Sequence, residues 1–155
     1  MTSFMSPAPR RFEMRRRIHF VHCDPAAIVF YPQYLVMLNE LIEDWFTDGM
    51  GIPYGEVITG RRWGLPTVKL ECEFKAVSRM NDEIIQSLAL ERLGQRSFTA
   101  LVEYRGADAA RELRVSIRVV IVLTRLDTHR SMDIPPELRQ AMARYLLDPA
   151  AVAAQ

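Results

Sequence analysis

The sequence predicts a single α+β domain over residues 1–155, with a long central helix wrapped by a curved antiparallel sheet of about five strands. Apolar residues from Tyr34 to Phe46 recur with the 3.6-residue period of an amphipathic helix. One segment before this helix and four after it alternate apolar and polar residues, as half-buried strands do. Because the four later strands follow one another directly, they favour antiparallel pairing with the helix on one side.

The first predicted strand covers about seven residues and ends near Asp24. Met14, Ile18 and Phe20 share its buried face, and Arg15, Arg17 and His19 lie on the opposite, solvent-facing side. Residues 1–12 have no periodicity and are expected to form an extended or disordered lead-in.

The helix is predicted to start near Pro32, which suits a first helical turn because its missing N–H has no partner there. Its apolar arc covers about half of the circumference, so a sheet is expected to clasp it. Gly49 and Gly51 are expected to end the helix, and residues 50–65 to form a loop.

The four later strands differ in how much of their surface is apolar. The first of them alternates cleanly and predicts one buried face, whereas the last ends apolar on both faces, as a central strand would. A short helix is then predicted from Pro135-Pro136 to about Leu147, with a tail at 148–155. The strands are predicted at Val68–Ala76, 83–93, Ser97–Arg105 and Leu113–Leu123.

Composition argues against several classes of protein. A net charge of +1 and the absence of a known module argue against nucleic-acid binding. No stretch approaches the roughly 20 apolar residues of a membrane span, and no signal-like segment is visible, so a cytoplasmic protein is expected. Two cysteines, Cys23 and Cys72, are too few for a disulfide scaffold. No metal site is expected, because His19 and Cys23 are predicted to face away from His22 and Asp24.

The connection between the first strand and the helix contains the candidate chemistry. Asp24 stands at the end of the strand, and an apolar stretch leads from it to the helix start. A helix N-terminus offers unpaired N–H groups that suit a developing oxyanion. A carboxylate facing that point can act as nucleophile or general base. From local chemistry alone, however, a structural Asx turn with Pro25 is the commoner role of such an aspartate.

The run from Asp24 to Tyr34, DPAAIVFYPQY, resembles the signature of the 4-hydroxybenzoyl-CoA thioesterase family. In that family Asp-Pro-Ala-Gly-hydrophobic-Val-aromatic-Tyr-Pro-x-Tyr joins the first strand to the central helix. The resemblance implies a hot-dog fold over residues 14–125 and hydrolysis of a small or aromatic acyl-CoA to free acid and CoA. It implies no cofactor besides the CoA of the substrate. It also implies a homo-oligomer, a dimer or a dimer of dimers (homotetramer), with sites at the subunit interface.

The resemblance also assigns roles to individual residues. Asp24 matches the catalytic aspartate, and Tyr31 matches the position whose backbone N–H polarises the thioester carbonyl. Arg96 lines up with a basic residue that meets the nucleotide end of CoA, while Pro32 and Trp63 are further substrate-binding candidates. Other basic candidates for the phosphates are Arg92, Arg125 and Arg130.

Two positions depart from the family pattern. Ala27 stands where glycine is usual, so this turn must avoid a positive φ or accept strain. Asn39 stands where the 4-hydroxybenzoyl-CoA enzyme has an acid, which puts specificity for the aromatic hydroxyl in doubt more than the reaction itself.

Several alternatives stay open at the level of sequence. If the first strand persists, His22 and Asp24 point the same way and form a dyad. Another branch of hot-dog thioesterases has its carboxylate on the central helix, where Glu40 and Glu43 lie, although a solvated helix face is the commoner reading. The chain is alternatively an acyl-carrier-protein thioesterase or a non-catalytic module that binds acyl-CoA. The intact Asp24 argues against a pure binder, since a buried charge beside a thioester is costly.

Overall fold

The fold is built on five antiparallel strands and one long helix. The computed structural model describes residues 10–149. Of the predicted lead-in at 1–12 and tail at 148–155, residues 1–9 and 150–155 lie outside the described residues, and Phe12 belongs to the first strand instead of the lead-in. The sheet order is β1-β4-β5-β6-β3, with β2 and β7 as a separate pair. The strands are β1 (Phe12–Arg17), β2 (Trp63–Gly64), β3 (Thr67–Phe74), β4 (Glu83–Leu93), β5 (Ser97–Gly106), β6 (Leu113–Val122) and β7 (Thr124–Arg125); the helices are α1 (Tyr31–Asp44) and α2 (Pro136–Ala143).

Helix α1 packs against the inner face of the sheet and supplies much of the core. Its buried residues lie on one side, as the helical period predicts, because removing that apolar stripe from water drives the packing. The helix continues through a wide turn at Trp45–Gly49 and stops before Gly51, which has a left-handed φ of 72°. The predicted helix and its end are therefore confirmed. Its buried residues are Tyr34, Met37, Leu38, Leu41 and Ile42.

The prediction for the first strand was wrong at its end. Strand β1 stops at Arg17, and residues Phe20–His22 form a 3₁₀ turn that leaves Phe20 80% exposed. His22 Nδ1 accepts the His19 N–H at 2.9 Å and closes this turn. The Ile18 N–H bonds the Asp82 carbonyl at 2.8 Å. His22 and Asp24 therefore do not share a strand face.

Two other boundaries differ from the sequence predictions. The predicted loop at 50–65 contains a helical turn, Glu56–Gly60, and the short strand β2. Helix α2 ends at Ala143 rather than near Leu147. The reason is that the Leu90 N–H donates to Tyr145 and the Leu147 N–H donates to Leu90, so the chain pairs beside β4 instead.

Strand β3 lies at the edge of the sheet, and its apolar face is largely uncovered. Val68 is 60% exposed and Phe74 is 51% exposed, although the sequence predicted a buried face. Within the described part of the chain, β3 pairs with β6 alone, so its other backbone edge also lies at the surface. None of the helices within residues 10–149 combines the length and the apolar character needed to cross a membrane.

Candidate active site

The segment from His22 to Phe30 folds into a tight hairpin before helix α1. The Asp24 N–H donates to the Ile28 carbonyl at 3.1 Å, and the Phe30 N–H donates to the His22 carbonyl at 2.9 Å. Inside the turn, the Ala27 N–H donates to the Asp24 carbonyl at 2.9 Å. Asp24 is therefore held at the tip of a hairpin whose second arm leads directly into the first residue of α1.

Asp24 is half-buried, and its carboxylate has one engaged oxygen. Oδ1 accepts the Ala26 N–H at 2.8 Å, which is the Asx turn that local chemistry favours. Within the described residues, Oδ2 has no hydrogen-bond partner. Because a carboxylate has lone pairs on both oxygens, the turn leaves one oxygen available to a ligand or a water molecule. Asp24 can therefore form the structural Asx turn through Oδ1 and still offer Oδ2 for catalysis.

The turn beside Asp24 is strained at Ala27, where the family pattern has glycine. Ala27 has a φ of 61°, in the left-handed region that costs a side chain roughly 1–2 kcal/mol. Neighbouring backbone stabilises the turn, since the Met80 N–H donates to the Ala27 carbonyl at 3.1 Å and the Val29 N–H donates to Ser78 at 3.0 Å.

The N-terminus of α1 is open. Phe30 occupies the N-cap position without a side-chain cap, and the first turn contains no acidic residue. Tyr31 is the first helical residue, so its N–H has no partner within the helix, and Pro32 has no N–H at all. The positive end of the helix dipole therefore faces outward without a counter-charge from its own first turn.

An aromatic cleft of about 280 Å³ opens beside this helix end. The ring of Phe74 lies 6.0 Å from the rings of both Tyr31 and Tyr34. Burial raises the pKa of the Tyr34 hydroxyl, and the neighbouring Ser78 and Arg114 only partly oppose the rise. Sequence reasoning missed the β3 side of this cleft, because period-two alternation does not reveal which helix end a strand reaches. The lining residues are Val29, Tyr31, Tyr34, Phe74, Lys75, Ala76 and Val77.

Two predicted substrate-binding residues lie elsewhere in the chain. Arg96 stands in the turn after β4, where its Nε donates to Asp133 Oδ1 at 2.8 Å. Trp63 is buried in β2, with the Arg61 guanidinium 4.9 Å from its ring. The Asp24 hairpin instead contacts residues 78–80, just before β4 begins. Since 11 residues of strand span about 35 Å, one chain does not bring Arg96 or Trp63 to Asp24.

Neither the alternative His22–Asp24 dyad nor the helix carboxylates of Glu40 and Glu43 form a competing site. Burial, Arg16 and His19 lower the pKa of His22, with Glu40 opposing. Within the described residues, no hydrogen bond or ion pair joins the side chains of His22 and Asp24. Glu40 is ion-paired to Arg16 at 2.7 Å, and Glu43 is exposed on the outer face of α1. Between residues 10 and 149 no group of three or more His, Cys, Asp or Glu side chains is arranged to hold a metal ion.

Similarity to known proteins agrees with this geometry. Residues 18–142 match the family model of the thioesterase-like superfamily. The chain belongs to this superfamily. Its resemblance to the 4-hydroxybenzoyl-CoA thioesterases is confirmed, as is its classification with the thioester hydrolases at the level of the family.

Three thioesterases illustrate the relationship. A 1,4-dihydroxy-2-naphthoyl-CoA hydrolase from Synechocystis is 23% identical over 130 residues, which cover 84% of this chain and 86% of that protein. The structure of a gentisyl-coenzyme A thioesterase is 26% identical with a TM-score of 0.74, over 85% of this chain and 99% of that chain. The 4-hydroxybenzoyl-CoA thioesterase of Pseudomonas sp. strain CBS-3 is 22% identical with a TM-score of 0.76, over 85% and 99%. These likenesses confirm the hot-dog fold of this superfamily member.

Proposed function

We propose that the protein is an acyl-CoA thioesterase that hydrolyses an aromatic or other small acyl-CoA to the free acid and CoA. The observation that carries the proposal is the Asp24 hairpin, which keeps one carboxylate oxygen unengaged and leads straight into the open N-terminus of α1. The relatives named above act on naphthoyl, gentisyl and 4-hydroxybenzoyl thioesters of CoA, all of them aromatic.

The proposed mechanism uses the chain's own groups. The Tyr31 N–H donates to the thioester carbonyl oxygen and stabilises the negative charge that develops there. The Asp24 carboxylate then attacks the carbonyl carbon, CoA leaves as its thiolate, and water hydrolyses the resulting anhydride. Alternatively, Asp24 takes a proton from a water molecule that attacks the same carbon directly. Both routes end with the acid and CoA.

The cleft beside Tyr31 suits a small acyl group. Its volume of about 280 Å³ lies just below the roughly 300–1,000 Å³ typical of small-molecule pockets. Tyr31, Tyr34 and Phe74 offer ring faces and edges against which an aromatic acyl group packs. We therefore expect benzoyl-type CoA esters to be hydrolysed better than long-chain acyl-CoAs.

We further propose a cytoplasmic homo-oligomer whose basic unit pairs the β3 edges of two copies. Exposed Val68 and Phe74 give this edge an apolar surface to bury. Antiparallel pairing of two copies places the start of one β3 beside the end of the other. Arg96 and Trp63, which lie near the start of β3, would then approach the Asp24 hairpin of the partner. Both residues keep their predicted substrate-binding roles in such a shared site.

Substitution of Asp24 tests the proposal. Release of CoA from benzoyl-CoA, followed with a thiol reagent, should fall about 10²–10⁴-fold in Asp24→Asn. Asp127→Asn, which changes an exposed aspartate that pairs with Arg62, should keep the activity of the parent protein. Near-full activity of Asp24→Asn and Asp24→Ala would show that the assignment is wrong.

Two further measurements separate the routes and the alternatives. Single-turnover hydrolysis in ¹⁸O water should leave label in Asp24 if an anhydride forms; label only in the product acid would favour direct attack by water. Competition between acyl-CoA and acyl-carrier-protein substrates distinguishes the two thioesterase classes. Tight binding of an acyl-CoA panel without turnover would instead identify a binding module.

A further inference from the structure

Arg114, near the start of β6, makes an unusually dense set of contacts outside the cleft. Its side chain is only 12% exposed. Nη1 donates to the Val77 carbonyl at 3.0 Å, to Ser78 Oγ at 3.2 Å and to Asp82 Oδ2 at 3.2 Å. A single guanidinium therefore ties together both ends of the segment between β3 and β4, which we call the 77–82 segment. Its Nε lies 2.9 Å from a Glu112 carboxylate oxygen as an ion pair without hydrogen-bond alignment.

The 77–82 segment in turn holds the Asp24 hairpin. The Ser78 carbonyl accepts the Val29 N–H at 3.0 Å, and the Met80 N–H donates to the Ala27 carbonyl at 3.1 Å. These two bonds flank the turn that contains the strained Ala27. A strained backbone conformation persists only where its surroundings over-determine it. The hydrogen bonds from the 77–82 segment supply part of that constraint.

The packing around the guanidinium leaves it little freedom. A Cβ added at Gly106 would lie 3.0 Å from Arg114 Nη2 and 3.3 Å from Asp108 Oδ1, so the guanidinium occupies the space that a side chain at 106 would fill. Asp82, which accepts from Arg114, also accepts the Arg79 N–H at 2.8 Å through the same oxygen. The carboxylate thereby joins Arg114 to the backbone of the 77–82 segment.

From these contacts we infer that Arg114 is a positioning residue for Asp24. It fixes the 77–82 segment, and this segment fixes the hairpin that presents the carboxylate to the helix end. The inference rests on the proposed catalytic role of Asp24. Without Arg114, the hairpin loses its support, and Asp24 leaves the geometry needed for attack. A misplacement of about 1 Å in an active site can cost about 10²-fold in rate.

The central test compares two arginines of β6, Arg114 and Arg118. Arg114→Gln should lower kcat for benzoyl-CoA about 10–100-fold, with a change in KM below about threefold. Arg114→Lys keeps the charge but loses the planar fork, so it should recover part of kcat. Arg118→Gln is the control, because the Arg118 side chain bonds Glu91 and, among residues 10–149, makes no hydrogen bond or ion pair with the hairpin or the 77–82 segment. It should keep the parent kcat.

The Asp24→Asn background separates this inference from the proposed function. If Arg114 acts through Asp24, Arg114→Gln should not lower the residual rate of Asp24→Asn any further. A fully active Asp24→Asn would overturn the proposed function and this inference with it. If Asp24→Asn is inactive but Arg114→Gln matches Arg118→Gln in kcat, the positioning role alone is overturned. An equal fold loss in both backgrounds also overturns it.

Folding is checked separately. Circular dichroism at the assay temperature measures the folded fraction, and kcat is expressed per folded molecule; a normal value per folded molecule means that Arg114 is merely structural. If Arg114→Gln does not fold, Gly106→Ala provides the second variant, because its Cβ displaces the guanidinium without removing it. We expect Gly106→Ala to lower kcat more than KM, and an unchanged kcat for this folded variant would contradict the inference.

Discussion

Ala27 has a backbone conformation that its own side chain disfavours. Replacing it with glycine removes roughly 1–2 kcal/mol of left-handed strain. The greater freedom of glycine in the unfolded chain opposes this gain by about 0.5–1 kcal/mol. Ala27→Gly should therefore raise the free energy of unfolding by about 0.5–1 kcal/mol in urea denaturation. Ala26→Gly is the matched control. The φ of Ala26 is not positive, so this substitution relieves no strain and only increases the entropy of the unfolded chain; it should lower the free energy of unfolding. A less stable Ala27→Gly protein would contradict this account.

His22 should make stability depend on pH. In the folded protein, the pKa of His22 is held below the usual range by burial and by the nearby Arg16 and His19. In the unfolded chain, a histidine has a pKa of about 6.5. As the pH falls through about 6.5, the unfolded state takes up the proton first, so the folded state loses stability until the lower folded pKa is passed. Protonation also removes the Nδ1 acceptor of the His19 N–H.

Replacement of this histidine tests the pH dependence. Urea denaturation between pH 5 and 8 should show a shallower loss of unfolding free energy toward acid in His22→Gln than in the parent protein. His129→Asn, a change at an exposed histidine whose φ of 55° asparagine tolerates, should keep the parent slope. Equal slopes in all three proteins would rule out His22 as the titrating group.

At the scale of elements, the wide turn Trp45–Gly49 that follows α1 is fixed by close packing at Gly49. A Cβ there would lie 2.8 Å from Trp45 Cδ1 and 3.1 Å from both Phe12 Cδ2 and Tyr145 Oη. The Tyr145 hydroxyl also donates to the Gly49 carbonyl at 2.8 Å. Gly49→Ala should therefore lower the free energy of unfolding by about 1–3 kcal/mol through overpacking.

Gly55 provides the comparison for Gly49. It has helical dihedrals and no atom within 4 Å of an added Cβ. Gly55→Ala should be neutral or stabilising by up to about 1 kcal/mol, because alanine has less freedom to lose on folding. Chemical denaturation measures the free energy of unfolding of the two variants. Similar values would mean that the side chains around Gly49 move aside at little cost.

The elements that the sequence predicted best are those whose pattern alone determines them. The bounds of β4, β5 and α1 follow from periodicity and glycine, within a few residues. The end of β1 does not, because the chain turns there through a local bond from the His19 N–H to His22 Nδ1 and a tertiary bond from the Ile18 N–H to the Asp82 carbonyl. Alternation likewise places Val68 and Phe74 on one face of β3 without revealing what covers that face.

The residues of the candidate site also divide into those that a local sequence pattern identifies and those that only the folded structure identifies. Asp24 and Tyr31 stand in one short run, so a sequence motif can identify both. Arg114 and Ser78 support the hairpin from 36 residues apart, and no spacing rule connects them to it. The sequence around Arg96 and Trp63 carries no local signal for how far from Asp24 these residues lie in the fold.

At the scale of the whole molecule, Asp24 and Arg96 lie at opposite ends of β4, and this separation makes the shared site testable. If the Asp24 site takes Arg96 from a partner, then Asp24→Asn and Arg96→Ala homodimers should both show low kcat/KM, the first through chemistry and the second through weakened binding of CoA. In a hybrid dimer, the Arg96→Ala subunit supplies an intact Asp24 and the Asp24→Asn subunit supplies an intact Arg96.

Mixing the two variants should therefore restore activity. A statistical mixture contains about half hybrid dimers by random pairing, each with one intact site, so kcat/KM should approach about a quarter of the parent value. Adding Val68→Lys to both variants places a charge on the apolar β3 edge and should prevent both dimerisation, measured by sedimentation, and restoration. A mixture no more active than the mean of its two components, although hybrids are present, would mean that Arg96 does not serve the partner's Asp24.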